Sequence, residues 1–433
     1  MNKIIFVATV CLMPALVITT NDQNILTDQL GYDNKLEIAH LYKGQWPVGI
    51  AVSRSGRKFS CFPAGLDELN TNNGSNNVFQ VAELLDFDTE TPYPNEAINN
   101  PPGGAVDTTT NPPTTKGLSN YFLSVQAVVI DARDVLWILD TGRVLFEALL
   151  LQASPGGTKL ISIDLKTDTI TRTYLFPTTI AKPTSYFDDV RFDIDRGFAY
   201  ITDTSYDALD NAIVVLDLNT GESWRRLEHA SGEAIGAGFV MTGVDGIALS
   251  PDLTTLYYSV IAGRFLYSVP TALLRDRNAS NSEIVSSVRN LGEKGISTGL
   301  VCDSNGIVYT GQAEQSGVSM YDPSTRMTML FVRDKRINWA DTFSVTEEFL
   351  YFTVNQLNSL PATYPGQGIP GVDRRQKPYV LHSGRIPDLV VSSGNDISLP
   401  LLTLDISDMS FKSSATLKVR GFIIFLHIYT YYR

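Results

Sequence analysis

Ala127-Val128-Val129-Ile130 runs into a turn at 131–134 and returns through Val135-Leu136-Trp137-Ile138-Leu139. A short apolar run, a turn rich in Asp, Ser and Gly, and a second run rich in aromatics read as two antiparallel strands. The same phrase recurs. Val48-Gly49-Ile50-Ala51-Val52 precedes it, with a turn at 53–56 and then Lys58-Phe59. Asp189-Val190-Arg191-Phe192 follows, turning at 193–197 into Phe198-Ala199-Tyr200-Ile201. Gly246-Ile247-Ala248-Leu249 turns at 250–254 into Leu256-Tyr257-Tyr258. Gly299-Leu300-Val301-Cys302 turns at 303–306 into Ile307-Val308-Tyr309, and Thr342-Phe343-Ser344-Val345 turns at 346–348 into Leu350-Tyr351-Phe352.

The turns open at residues 53, 131, 193, 250, 303 and 346. Their spacing shortens along the chain towards the roughly 40–50 residues of a four-stranded propeller blade. A single such unit cannot bury both faces of its sheet. Six of them closed around an axis can, and closure protects the edge strands. The expected fold is therefore all-β, a six-bladed β-propeller over residues 21–386. Two β-sandwich domains are the alternative, and the absence of a linker between similar units argues against them. Residues 69–116, rich in Asn, Thr, Pro and Gly, lengthen the first interval and read as a surface insertion. From 387 to 433 the repeat stops. The apolar run at 422–432 in this atypical tail is too short for a membrane helix.

Acidic residues outnumber basic ones by 46 to 34, a net charge of −12, which excludes a protein that tracks nucleic-acid phosphates. With 43% apolar and 18% charged residues the chain has the composition of a globular protein. Lys3, an apolar stretch at 4–18 broken by Thr9 and Pro14, and then Thr19-Thr20-Asn21-Asp22 read as a signal peptide over residues 1–20. A buried N-terminal strand is the alternative. The expectation is a secreted protein without membrane insertion. Asn73 and Asn278 head glycosylation sequons. Cys11 would leave with the signal, and Cys61 and Cys302 read as buried thiols, with a disulfide between them left open.

Ligands of a propeller sit where the loops leading into the innermost strands converge. The residues just before those strands are Asp188 and Asp189, Asp245, Thr298, and Asp341 with Thr342, while Asn355 ends the second strand of the last unit. Several carboxylates facing one channel attract an ammonium group or a divalent cation, and one with a raised pKa serves as a general acid or base. The plainer reading is that each Asp caps its own turn. His40, His229, His382 and His427 have no metal-ligand spacing, and the chain lacks a Gly-x-Ser-x-Gly elbow, a P-loop and a dinucleotide fingerprint. No cofactor is expected beyond that optional channel cation.

Several strings resemble the yellow / major royal jelly protein family. They are Trp46-Pro47-Val48-Gly49-Ile50-Ala51-Val52, Leu136-Trp137-Ile138-Leu139-Asp140-Thr141-Gly142, Gly221-Glu222-Ser223-Trp224-Arg225, Asp245-Gly246-Ile247-Ala248-Leu249-Ser250-Pro251 and Trp339-Ala340-Asp341-Thr342-Phe343, in the family's order over residues 36–386. The resemblance implies a secreted six-bladed propeller. It also implies a role in pigment chemistry on dopachrome-like quinones, capture of aromatic amines in the channel, or storage and signalling. Thr342 and Asn355 match the positions that contact the amine in amine-binding members, and Leu357 stands where those members carry an aromatic. The scarcity of cysteines, Cys61-Phe62-Pro63 and the Asn/Pro stretch suggest a fungal-type branch. The resulting reading is an isomerase or cyclase acting on a small aromatic or quinone-like molecule. Asp341, Asp245 and Asp189 would be catalytic, and Thr342, Asn355, Thr298 and Asp188 would bind the ligand. The alternatives are a non-catalytic binder of aromatic amines and a metal-dependent lactonase-like hydrolase.

Overall fold

The computed structural model describes residues 33–71, 78–205, 211–228, 243–261, 263–361 and 371–386, together with two short strands in the tail. The signal segment and Asn73 lie outside the described residues. So does the tail, apart from an antiparallel pair, Thr416–Val419 with Phe422–Phe425, which belongs to a separate unit.

Six four-stranded antiparallel sheets follow one another along the chain. Blade 1 is Ile50–Val52, Lys58–Cys61, Val81–Leu84 and Glu90–Pro92. Blade 2 is Val125–Ile130, Val135–Asp140, Lys159–Asp164 and Thr169–Leu175, and blade 3 is Phe187–Asp193, Phe198–Asp203, Ala212–Asp217 and Ser223–Arg226. Blade 4 is Val244–Leu249, Thr255–Val260, Phe265–Pro270 and Arg289–Glu293, and blade 5 is Leu300–Cys302, Val308–Gln312, Gly317–Asp322 and Met327–Arg333. Blade 6 takes Ala340–Val345, Phe349–Val354 and Tyr379–Arg385 from the end of the propeller unit and its outer strand, Leu36–Tyr42, from the beginning. Each innermost strand touches the innermost strands of both neighbours, including blade 6 against blade 1, so the sheets form a closed six-bladed propeller. Among the described residues no helix is long and apolar enough to cross a membrane.

The recurring phrase of the sequence has a local cause. In blade 2 the turn-opening Asp131 accepts the backbone N–H groups of Arg133 (2.8 Å) and Val135 (3.1 Å) on Oδ1 and the indole N–H of Trp137 (2.8 Å) on Oδ2. In blade 5 Asp303 accepts Asn305 and Ile307 N–H at 2.9 Å and the Tyr309 hydroxyl at 3.3 Å. One carboxylate thus closes the turn and docks the aromatic of the second strand. Gly306 supplies the left-handed residue of the blade 5 turn, with φ of 87°.

Burial follows the blades. Each of six apolar clusters fills one interface between adjacent blades. Leu36 and Phe352 pack with Tyr309 and Phe331 between blades 6 and 5, and Tyr42 and Leu381 pack with Phe62 between blades 6 and 1. Fully burying one such aromatic contributes about 1.5–3 kcal/mol. The closing strand therefore anchors two interfaces as well as pairing residue by residue with Tyr379–Arg385.

One expectation is corrected, and one point left open is decided. Residues 69–116 are not simply an insertion, because Val81–Leu84 and Glu90–Pro92 are the third and fourth strands of blade 1. Only the remainder, with a short helix at Glu96–Asn99 and a hairpin of Val106–Asp107 with Thr114–Thr115, elaborates the blade. Cys61 and Cys302 do not pair. Both are free thiols, and Cys61 is buried with its Sγ 3.2 Å from the Gln126 carbonyl.

Deleting residues 33–42 leaves the Tyr379–Arg385 edge unpaired and opens two interfaces. The expected outcome is loss of a cooperative thermal transition in calorimetry. A transition unchanged in midpoint and enthalpy would show that the ring closes without this strand. Adding a reductant to the intact protein is expected to leave the midpoint where it was, because the two cysteines are already free thiols.

Candidate functional site

The innermost strands start at one end of the axis and finish at the other. Carboxylates at the ends of second strands hold the loops that lead into them. Asp140 accepts N–H groups from Leu123 (2.8 Å), Ser124 (2.9 Å) and Gly142 (2.9 Å) and pairs with buried Lys159 at 2.8 Å. Asp203 accepts Tyr186 N–H at 2.9 Å and pairs with Arg225 at 2.9 Å. These two are structural clips. Glycines let the inner strands approach each other. A Cβ on Gly246 would sit 2.2 Å from the Thr298 carbonyl, and one on Gly299 would sit 2.1 Å from the Asp341 carbonyl. Side chains at these two positions would push blades 4, 5 and 6 apart.

Held this way, Asp188, Asp189, Asp245 and Asp341 meet at the axis, and the charge of Asp189 is felt by each of the other three. Asp245 is 1% exposed and Asp341 5%, while Asp188 is partly accessible. Gln126 donates to Asp188 at 2.7 Å and is itself held by the Tyr186 hydroxyl at 2.8 Å. Asp189 is committed to Arg191 (2.5 Å) and to the Val190 N–H (2.8 Å). Asp341 accepts a hydrogen bond from the Asn355 side-chain amide. Thr298 lies against Asp341, with its Oγ1 3.5 Å from the Asp341 carbonyl. Asp245 hydrogen-bonds Asp188, yet among the described residues its Oδ2 has no donor partner. Two ionised carboxylates have no proton to share, so a hydrogen bond between Asp245 and Asp188 requires one of them to be protonated.

The electrostatics agree with a shared proton. Burial, with the charge of Asp189 adding to it, raises Asp188 to about 6 against the hydrogen bonds of Asp245 and Gln126, and burial raises Asp341 to about 7 with Asp188 adding to it. Asp245 is pushed well above the usual carboxylate range by burial and then by Asp188, and Asp189 is raised by burial against the pull of Arg191. Lys294, also buried, is lowered to about 7 because desolvation outweighs the attraction of Asp245. Its Nζ donates to the Gly295 carbonyl at 2.8 Å.

Arg191 separates this acidic end from the other. Its guanidinium pairs with Asp189, then reaches from blade 3 to the Leu300 carbonyl of blade 5 at 2.6 Å. Beyond it the late residues of the inner strands line a funnel of about 850 Å³, among them Val52, Phe192, Cys302, Thr342 and Ser344. The seven candidate residues are thus distributed unevenly. Asp188, Asp189, Asp245, Thr298, Asp341 and Asn355 gather at the acidic end, while Thr342 lines the funnel. Asp189 is engaged by a guanidinium, which suits anchoring better than proton transfer. Leu357 packs into the blade 6–blade 1 core. Asn278 is exposed in the loop before the helix Asn281–Ser287. Among the described residues no three His, Cys, Asp or Glu side chains are grouped to hold a metal ion.

Sequence reasoning missed Gln126, Arg191, Lys294 and Trp339. Gln126 and Arg191 sit in inner strands beside apolar residues and carry no motif of their own. Trp339 stood in plain view beside Asp341. It is partly exposed, donates its indole N–H to Thr298 Oγ1 at 3.3 Å, and has φ of 70°. A bulky residue in the left-handed region costs about 1–3 kcal/mol and is a pointer to function.

The raised carboxyls make stability depend on pH. A carboxyl that binds its proton more tightly when folded stabilises the fold below its unfolded pKa and loses that contribution as pH rises through the folded value. For Asp341 the window runs from 3.8 to about 7. Asp341→Asn mimics the protonated form. Its unfolding free energy is expected to fall less steeply than that of the wild type between pH 4 and 7, by an amount on the order of a few kcal/mol across the window. Denaturant titrations of both proteins across this range measure it, and parallel curves would remove Asp341 from the set of raised groups.

Comparisons with known proteins place the chain. Residues 123–362 match the family model described as "Major royal jelly protein". "Protein yellow" of Drosophila erecta and of Drosophila melanogaster are each 26% identical over 228 residues, covering 48% of this chain and 41% of theirs. The match thus spans about two fifths of the length of these relatives. Among solved structures, a gluconolactonase from Xanthomonas campestris superposes with a TM-score of 0.45 at 12% identity, covering 81% of this chain and 89% of that one. A calcium-binding protein, regucalcin, from Agrobacterium tumefaciens gives a TM-score of 0.43 at 15% identity, covering 80% and 94%. On the strength of the family match, which spans more than half of the sequence, the chain belongs to the major royal jelly protein family.

Proposed function

We propose that this propeller binds a small aromatic or quinone-like molecule at the acidic end of its axis and relocates a proton on it, as an isomerase or tautomerase in pigment or secondary-metabolite chemistry. One observation carries the reading. Asp188, Asp245 and Asp341 share one cluster in which burial holds every carboxyl above its usual range, Asp341 at about 7. Tautomerisation needs a group that gives a proton at one atom and a group that takes one at another, both with pKa values near the working pH. Asp341, near 7, suits the acid or base that exchanges with the ligand. The Asp245–Asp188 pair offers a second carboxyl to complete the transfer. Thr298 and Asn355 orient Asp341, and Asp189 holds Arg191 in place. No metal enters this scheme.

A secreted setting belongs to the same reading, supported by the N-terminal segment and by the sequons at Asn73 and Asn278. A second reading, capture of an aromatic amine without turnover, is favoured by one observation: Asp188 is partly accessible and, at about 6, is largely ionised at neutral pH. It is then the natural partner of an ammonium group.

Incubation with dopachrome, followed by its visible absorbance, tests the first reading. The wild-type protein is expected to accelerate loss of colour over the buffer rate. Asp341→Asn and Asp245→Asn are each expected to lower that acceleration roughly 10²-fold or more. Dopachrome that decays at the buffer rate with the wild-type protein, while dopamine binds in calorimetry, would replace the enzyme reading with the amine-binding one.

A further inference from the structure

We propose that Trp339 is the stacking wall of the axial site, so that the ligand must present a flat aromatic or quinonoid ring. The chain has four tryptophans. Three are buried and each has a partner on its ring. Trp137 stacks on Phe192 with centroids 4.5 Å apart, Trp224 lies under Arg277 at 4.8 Å, and Trp46 lies under Arg375 at 5.2 Å. Their indole N–H groups go to Asp131, the Leu274 carbonyl and the Asn355 carbonyl. Trp339 differs in burial and in ring contact. It is partly exposed, and among the described residues no ring or guanidinium stacks on it.

Its placement is fixed from two sides. The indole N–H reaches Thr298 Oγ1 at 3.3 Å, on the loop that leads into blade 5. Its carbonyl receives the Asn355 N–H at 3.3 Å, and Gln356, itself left-handed with φ of 60°, donates its N–H to the Asn338 carbonyl at 3.0 Å. The polar edge of the indole therefore abuts Thr298, which lies against Asp341, the groups that would meet the ligand's hydroxyl or carbonyl. A strained backbone holds a large apolar ring in partial contact with solvent, which costs free energy twice unless something flat covers it.

The inference rests on the proposed ligand site and narrows what that site accepts. It is tested with 4-nitrocatechol as the probe and cyclohexane-1,2-diol, which has the two hydroxyls but no aromatic ring, as the control. Binding is followed in parallel by calorimetry and by tryptophan emission. The expected result is that 4-nitrocatechol binds and quenches the accessible tryptophan while the diol does neither. Trp339→Leu should then weaken 4-nitrocatechol about two- to tenfold, and Trp339→Phe should recover much of the loss. If 4-nitrocatechol binds but the emission is unmoved, or the Leu variant binds equally well, the stacking wall is overturned and the axial site stands. If 4-nitrocatechol does not bind the wild-type protein, both fall. Where the Leu variant does not fold, the Phe variant decides: 4-nitrocatechol bound with the same quenching as the wild type shows that the quenched tryptophan is not Trp339 and overturns the stacking wall, whereas binding with reduced quenching upholds it.

Discussion

A ring of sheets exists only if its two ends meet. Here they meet through one antiparallel pairing, Leu36–Tyr42 against Tyr379–Arg385, which places the first strand of the propeller unit on the outside of its last blade. Everything at the axis follows from that closure. Six blades around one centre leave the inner strands little room, and the small residues Gly246 and Gly299 are needed where blades 4, 5 and 6 touch. Their carbonyl contacts bring the start of each strand to the same level. The side chains at those starts have no choice of neighbour.

Four of those side chains are carboxyls, and one guanidinium, from Arg191, is paired among them. Burying that many like charges together is far costlier than leaving protons on some of them. The hydrogen bond between Asp245 and Asp188 and the raised values of Asp188 and Asp341 are two views of the same outcome. Proton retention is thus a product of closure rather than of any one residue's surroundings. The same group of acids would behave as ordinary aspartates on a rim loop. Arg191 does a further service by ending the acidic region, since its reach to Leu300 stands between the cluster and the wide funnel beyond.

What could be read from the chain divides along the range of the forces involved. The six units were legible because their signal is local: an Asp or Ser closing a turn within five residues and docking an aromatic shortly after, as at Asp131 and Asp303. The closing strand was not assigned its place, because Leu36–Tyr42 looks like any strand and its partner lies at the far end of the propeller. Strands of three and four residues in a polar stretch, Glu90–Pro92 and Val81–Leu84, were mistaken for insertion for lack of length. The acids were found by their common position in the repeat. Thr342 was grouped with them, yet neighbouring residues on a strand face opposite ways, and it lines the funnel while Asp341 joins the cluster. Gln126 reaches Asp188 from blade 2, and Arg191 crosses to the Leu300 carbonyl of blade 5, contacts that adjacency in sequence does not reveal.

The two readings of the site differ in what a proton does when the ligand arrives. An ammonium group placed against Asp188 and Asp341 favours their ionised forms, so capture of an amine lowers both values and drives protons out. A neutral quinone or its tautomer leaves them raised, and the proton on the cluster stays available for delivery to the ligand. The resting arrangement suits the second case more closely. Asp341 already receives the Asn355 amide and lies beside the Thr298 hydroxyl, so its free oxygen is oriented while its proton is retained near neutrality. A site built only to attract a cation would gain from fully ionised carboxylates with solvent access. Here one of the three is partly accessible and two are sealed. Burial of this pair is what keeps protons on Asp245 and Asp341 at a pH where exposed aspartates are ionised.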